Sequence, residues 1–289
     1  MRSLTAFLTS VDTHPADAGG TVDQHMQNVF FWIFWVSVAV GVIVGGLLIF
    51  SFIKFRRKSD DEEPEQFHGN TRLEIGWTVL PFGILIALFV LSAVNMSYVV
   101  STPANAANVS VIGQQFNWTF YYEDVKTLSP GGKVVASGVG LASDPTDLSS
   151  VMFVPVNTAT HLNLTSADPP AKCDGKGAGG LHPAVGQSFA QAASALGCGV
   201  NHSFYIPTLA GQMNAIPGRI NDMWFDAQPG KFYGQCTELC GVGHANMLIE
   251  IVSIALPDYN CLMSHADTSD ALPYDTISAA TLKTCKVST

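Results

Sequence analysis

Two stretches of the chain contain no charged residue and show no polar face, Val29 to Ile53 and Ile75 to Val100. Each exceeds the ~20 residues that carry a helix across a hydrocarbon core, so both are predicted to be transmembrane helices. The competing reading, two buried helices of a large soluble core, is disfavoured because each run exceeds the usual length of a globular helix and lacks any charged face. Trp32 and Trp35 lie near one end of the first run and Tyr98 near one end of the second, where interfacial aromatics anchor a span. From Ser101 onward the pattern changes to short apolar runs bounded by Gly, Pro, Asn and Asp. The predicted strands are Asn108–Ile112, Gln115–Tyr122, Val151–Val156, His161–Thr165, His202–Ile206, Arg219–Phe225, Lys231–Tyr233 and Met247–Leu256. Regular short strands of this kind predict an all-β sandwich or barrel.

These patterns divide the chain of 289 residues into a tail (1–28), a first span (29–53), a connecting loop (54–74), a second span (75–100) and an outer domain (101–289). The loop carries Lys54, Arg56, Arg57, Lys58 and Arg72, against Arg2 alone in the tail. The positive-inside rule then makes the loop cytoplasmic and puts both termini and the outer domain on the other side of the membrane. Asp60, Asp61, Glu62, Glu63 and Glu65 share the loop but contribute little to orientation, and read as a solvated linker. The apolar patch Leu4 to Leu8 is too short, and too broken by Thr5 and Thr9, for a signal peptide.

The chemistry is concentrated in Gly234-Gln235-Cys236-Thr237-Glu238-Leu239-Cys240-Gly241-Val242-Gly243-His244-Ala245-Asn246-Met247. Thiolates select soft metals such as Cu(I), imidazole suits copper, and a thioether is a common weak extra ligand. Two cysteines four apart can bridge a metal pair through both sulfurs, leaving His244 and Met247 to complete it. A second histidine is then needed, and the candidate is His202, in Asn201-His202-Ser203-Phe204-Tyr205. On the cysteines and one histidine alone, structural zinc or a disulfide is the competing reading; zinc has no use for the thioether.

With these residues the chain resembles subunit II of cytochrome c oxidase, the subunit that carries the binuclear copper centre CuA. The resemblance implies a two-helix transmembrane hairpin followed by an all-β cupredoxin-like Greek-key barrel, in a bacterial inner membrane. It implies copper ligation by His202, Cys236, Cys240, His244 and Met247, with Glu238 lending its backbone carbonyl and turning its side chain toward a magnesium ion shared with subunit I. Haem would reside only in that partner, which would reduce oxygen to water and pump protons. The other implied partners are further oxidase subunits, membrane lipid and a soluble electron donor. Within His68-Gly69-Asn70-Thr71-Arg72-Leu73-Glu74-Ile75-Gly76-Trp77 the resemblance makes Glu74 the mouth of a proton pathway of subunit I. Read alone, Glu74 is an acid favoured by the positive end of a helix.

The segment Gly113-Gln114-Gln115-Phe116-Asn117-Trp118-Thr119-Phe120 matches one in which the family usually has two tryptophans, the first of which receives the electron. Here that position is Phe116 and only Trp118 remains. The departure leaves the donor open between cytochrome c and a copper protein. Asn214 is a second departure, at a position where the family often has aspartate. Residues 101–289 hold 14 Asp and Glu against 8 Lys and Arg, a formal charge of 8 − 14 = −6, which would steer a basic donor. Asp168, Glu123 and Asp124 are the candidate docking acids, against the alternative that each is ordinary solvated charge.

Beyond Cys236 and Cys240 the chain has Cys173, Cys198, Cys261 and Cys285, which allow three pairings. Cys173–Cys198 and Cys261–Cys285 are expected because each closes a short local loop, worth roughly 3 kcal/mol in the chain-entropy model; free or metal-binding thiols are the alternative. Residues 169–200, rich in Gly, Ala and Ser, are an insertion relative to the family, expected to be a surface excursion that covers the copper end or shapes donor docking. His182 within it reads as a solvent residue. No Cys-x-x-Cys-His, phosphate loop or Ser-His-Asp set is present, and no feature points to nucleic acid. A copper-free quinol oxidase subunit and a membrane-anchored copper-delivery protein are the competing functions.

Overall fold

The computed structural model describes residues 19–56, 69–122, 133–137, 149–177, 187–265 and 283–287. Helix α1 (Thr21–Lys54) and helix α2 (Thr71–Val99) contain the two apolar runs. Both are apolar all round and expose large side chains such as Val42, Phe52 and Phe89, as helices that meet lipid rather than a protein core must. Within the hairpin, His25 of α1 stacks on Tyr98 of α2 with ring centroids 4.0 Å apart, and its Nδ1 lies 2.8 Å from Asn95 Oδ1.

Both helices start earlier than their apolar runs. For α2 the reason is local: Asn70 Oδ1 accepts from the Leu73 N–H, and the Glu74 carboxylate accepts from the Asn70 N–H. This reciprocal pair satisfies two donors of the first turn. For α1 the acceptor comes from far along the chain. Asp226 Oδ1 accepts from both the N–H and the hydroxyl of Thr21, each at 2.7 Å. Gly19 adds backbone bonds to Thr208 and Gln228, so the described end of the N-terminal tail, up to Gln24, groups with the β-domain.

The β-domain is built from two five-stranded sheets. One runs β3 (Lys133–Ser137), β2 (Asn117–Tyr122), β1 (Ala107–Gln114), β5 (Thr160–Ser166), β8 (Asn221–Phe225). The other runs β4 (Ser149–Pro155), β10 (Leu248–Ile254), β9 (Gly230–Cys236), β6 (His202–Ile206), β7 (Gly211–Ala215). Among the strands of the described residues only β1–β5 and β4–β10 pair in parallel, and strands distant in sequence lie side by side, the cupredoxin-like arrangement expected. Between the sheets the buried rings of Trp118 and Phe120 meet Phe204 edge to face. The buried Tyr122 hydroxyl donates to the Phe153 carbonyl and accepts from the Phe153 N–H, both at 2.9 Å. That double bond removes the cost of burying the hydroxyl and ties β2 to β4.

Three expectations are corrected. The run Gln115–Tyr122 is not one strand: the chain turns at Gln115 and Phe116 between β1 and β2. Strands β3 and β7 lie where none was expected. The insertion is not all surface, because helix α3 (Phe189–Leu196) stacks Phe189 on the buried Tyr121 with ring centroids 4.1 Å apart and joins Ile112, Ala167 and Ala193 in a small core. Ser188 and Gln191 start α3 with a capping box. After β10 the chain continues into helix α4 (Leu256–His265). Disulfides join Cys173 to Cys198 and Cys261 to Cys285, as expected.

Candidate metal centre

The site stands at one end of the sheet that contains β6 and β9. His202 is the first residue of β6 and Cys236 the last of β9, its strand neighbour. The chain from Cys236 to Met247 forms a loop whose ends are joined by the Cys236 N–H donating to the Met247 carbonyl at 2.9 Å. Thr237 N–H donates to the Ser203 carbonyl at 3.1 Å, which fixes the loop's first residue to β6. Inside the loop, His244 N–H bonds the Gly241 carbonyl and Asn246 N–H the Gly243 carbonyl. The His244–Asn246 turn thereby points its histidine back at the cysteines.

All six residues singled out in the sequence converge. The Cys236 thiol donates to the Glu238 carbonyl at 3.3 Å and its sulfur lies 3.9 Å from His202 Nδ1. The Cys240 thiol donates to Met247 Sδ at 3.4 Å and its sulfur lies 3.6 Å from His244 Nδ1. Each sulfur therefore has one imidazole nitrogen and one weaker donor of its own. The ligand atoms of His202, Cys236 and Cys240 lie within 4.8 Å of one another.

His202, Cys236, Cys240 and Met247 are buried, and Cys236 and Cys240 are free thiols. His202 Nε2 is buried with no hydrogen-bond partner among the described residues. Burial first, then the neighbouring His244, then Lys172, hold the His202 imidazole down to about 4, so it is neutral and its nitrogen lone pair is available. Burial first and the adjacent Cys236 second push the Cys240 thiol up to about 12. A thiolate here lacks a counter-charge in the protein alone; a bound cation is what supplies it. Two soft sulfurs, two imidazoles, an inward thioether and a carbonyl fit copper. A tetrahedral zinc site would be complete without Met247.

The residues that hold the ligands in place were less visible in the sequence. A Cβ on Gly113 would stand 2.9 Å from His202 Cδ2 and 3.1 Å from Trp118 Cζ3, so the glycine clears room for both rings. Trp118 is fully buried, edge-on to His202 with centroids 5.7 Å apart. Phe116, half-buried, lies against the metal loop: a Cβ on Gly243 would meet its Cγ at 2.4 Å. Gln115 donates through Nε2 to the Cys240 carbonyl. Asn214 lies in β7, opposite Ser203 of β6, and its carbonyl accepts from Asn221 Nδ2.

Asp168 is not a docking acid. It is 3% exposed and its carboxylate accepts from the Gln115 N–H at 2.7 Å, so it holds the turn before Phe116. The other two docking acids, Glu123 and Asp124, and His182 lie outside the described residues.

Residues 12–94 match the family model described as cytochrome c oxidase subunit II, transmembrane domain, and residues 192–254, which include every candidate ligand, match cytochrome c oxidase subunit II, periplasmic domain. The chain is 28% identical over 241 residues to a probable cytochrome c oxidase subunit 2 of Rickettsia bellii, covering 82% of this chain and 77% of the relative. It is 30% identical over 208 residues to cytochrome c oxidase subunit 2 of Metridium senile, covering 68% and 69%. Against that of Alkalihalophilus pseudofirmus it is 26% identical over 279 residues, spanning 93% of this chain but 65% of the relative. Among solved structures, the periplasmic domain of subunit II of cytochrome oxidase (CoxB) of Bradyrhizobium japonicum superposes with a TM-score of 0.42 at 26% identity, covering 59% of this chain and all of that one.

Proposed function

The chain belongs to the cytochrome c oxidase subunit II family, and on that footing we propose that it is the electron-accepting subunit of a respiratory haem–copper oxidase. In this reading His202, Cys236, Cys240, His244, Met247 and the Glu238 carbonyl hold two copper ions. Such a pair, when bound, takes up and gives up electrons one at a time. The observation that carries the reading is the division of donors, with one imidazole and one weak donor facing each of two adjacent sulfurs.

The chain's own part is to keep this set fixed and dry. Ligands anchored to β6 and β9, and a loop closed by its own backbone bonds, cannot rearrange much when the charge of the site changes. Electrons arrive singly from a soluble carrier, cytochrome c or a copper protein, through the region of Phe116 and Trp118. They leave for haem in subunit I, where oxygen is reduced to water and protons are pumped. The exposed Glu238 side chain would hold a magnesium ion shared with that subunit. The intact donor set argues against a copper-free quinol oxidase subunit, and the two membrane helices against a delivery protein. The basic loop between α1 and α2 is cytoplasmic and the β-domain lies on the outer face.

Rapid mixing of the oxidised holo-complex with one equivalent of reduced cytochrome c tests this reading: the copper optical band bleaches before haem is reduced. Haem reduction with no earlier change at this chain would overturn it. Glu74 is proposed to sit at the mouth of a proton pathway as well as capping α2. Replacing it with glutamine, which retains a side-chain acceptor for the Asn70 N–H, slows proton uptake during turnover; unchanged uptake removes that role.

A further inference from the structure

The insertion delivers one charge to the metal centre. Pro169 to Cys173 form a short turn in which Lys172 N–H bonds the Pro169 carbonyl, and the Cys173–Cys198 disulfide holds this turn where the chain leaves Asp168 and returns toward His202. From there the Lys172 ammonium lies 4.9 Å from the centroid of the Phe116 ring and 2.9 Å from Gln115 Oε1. The other end of the same amide donates to the Cys240 carbonyl. A continuous path thus runs from an exposed cation, through one polarised amide, to the peptide group of a ligand-bearing cysteine.

We infer that Lys172 is a positioning residue that raises the electron affinity of the metal centre, acting through Gln115 on Cys240, and that the disulfide-stapled insertion exists in part to place it. The inference rests on the copper reading proposed above. In the step concerned, one electron passes from the soluble carrier, which is oxidised, to the site, which is reduced; no bond is made or broken. A fixed positive charge stabilises the added electron, and an amide whose oxygen is held by a cation is a stronger donor to the carbonyl beyond it. Opposing it is the buried Asp168, which holds the Gln115 N–H from the other side. Lys172 therefore balances an anion that would otherwise lower the site's affinity for electrons.

The test is a redox titration of the centre in the intact oxidase complex, followed by its electron spin resonance signal, with copper content measured on the same samples. Lys172→Met lowers the midpoint potential, Lys172→Arg keeps it near that of the parent, and Gln115→Met lowers it by less, because the charge remains. Copper content is unchanged in both Lys172 variants, since Lys172 is exposed and its ammonium bonds Gln115 rather than a ligand atom. An unchanged potential in Lys172→Met at full copper loading overturns the inference and leaves the proposed function standing, as does a fall in Lys172→Arg equal to that in Lys172→Met. A parent complex without a copper pair defeats the proposed function, and this inference with it.

Discussion

The metal loop from Cys236 to Met247 and the insertion that contains Lys172 both reach the same end of the β-domain, yet they are held there differently. The loop connects two strands that pair directly, β9 and β10, and is closed by its own backbone bonds. Its geometry is local, so the spacing of its donors in sequence is close to a statement of their arrangement in space. The insertion is held by a disulfide, by the packing of Phe189 on Tyr121, and by the capping box of α3. Its influence on the site passes through one side chain. The convergence of the donor side chains was therefore legible in the sequence, whereas the contacts that surround them were not.

The loop is where a single change should do the most. Cys236→Ser removes a sulfur that faces both an imidazole and a carbonyl. The expected result is loss of the paired copper signal and a fall in electron uptake from the donor of more than ~100-fold, beyond the cost of losing a mere outer-shell partner. Metal analysis and rapid mixing read the two effects. Uptake at the parent rate would mean that the sulfurs are not the electron-accepting site.

The two disulfides give a milder and more selective contrast. Removing either, by Cys173→Ser with Cys198→Ser or Cys261→Ser with Cys285→Ser, should cost about 3 kcal/mol, since the separations of 25 and 24 residues are nearly equal. Denaturant unfolding measures that cost. Only the first pair should also shift the midpoint potential, because only it holds Lys172. An equal shift from both would show that the insertion has no privileged connection to the metal.

A smaller effect separates the ligands from everything around them in metal-free protein. His202 sits at about 4, below its ordinary 6.5, so the unfolded chain binds the extra proton first, and stability is lost as pH falls from 6.5 toward 4. Cys240 sits at about 12, above its ordinary 9.0, so stability is lost as pH rises from 9 toward 12. Metal-free protein should thus be most stable between about pH 6.5 and 9. In thermal melts His202→Gln should flatten the acid side without changing the alkaline side.

The fold was legible to a similar, uneven degree. The apolar runs located both membrane helices, but not where α1 begins, because its cap is Asp226, about two hundred residues away in the chain. The aromatic run from Gln115 to Tyr122 hid a turn, since those residue types suit a strand on either side of it. Strand β7, Gly-Gln-Met-Asn-Ala, has no β-branched residue and is set by pairing with β6. Helix α3 could have been found: Ser188 three residues before Gln191, followed by an alanine-rich stretch, is a helix start. Asp168 reads as a solvated acid in sequence, and only tertiary contact reveals it as a buried acceptor.

Copper quantitation with electron spin resonance on the purified, fully loaded complex bears most directly on the central claim. Two copper ions per chain, sharing one unpaired electron across both nuclei in the oxidised state, is the predicted result. A Cys236–Cys240 disulfide, one zinc ion, or a signal confined to a single copper nucleus would contradict it.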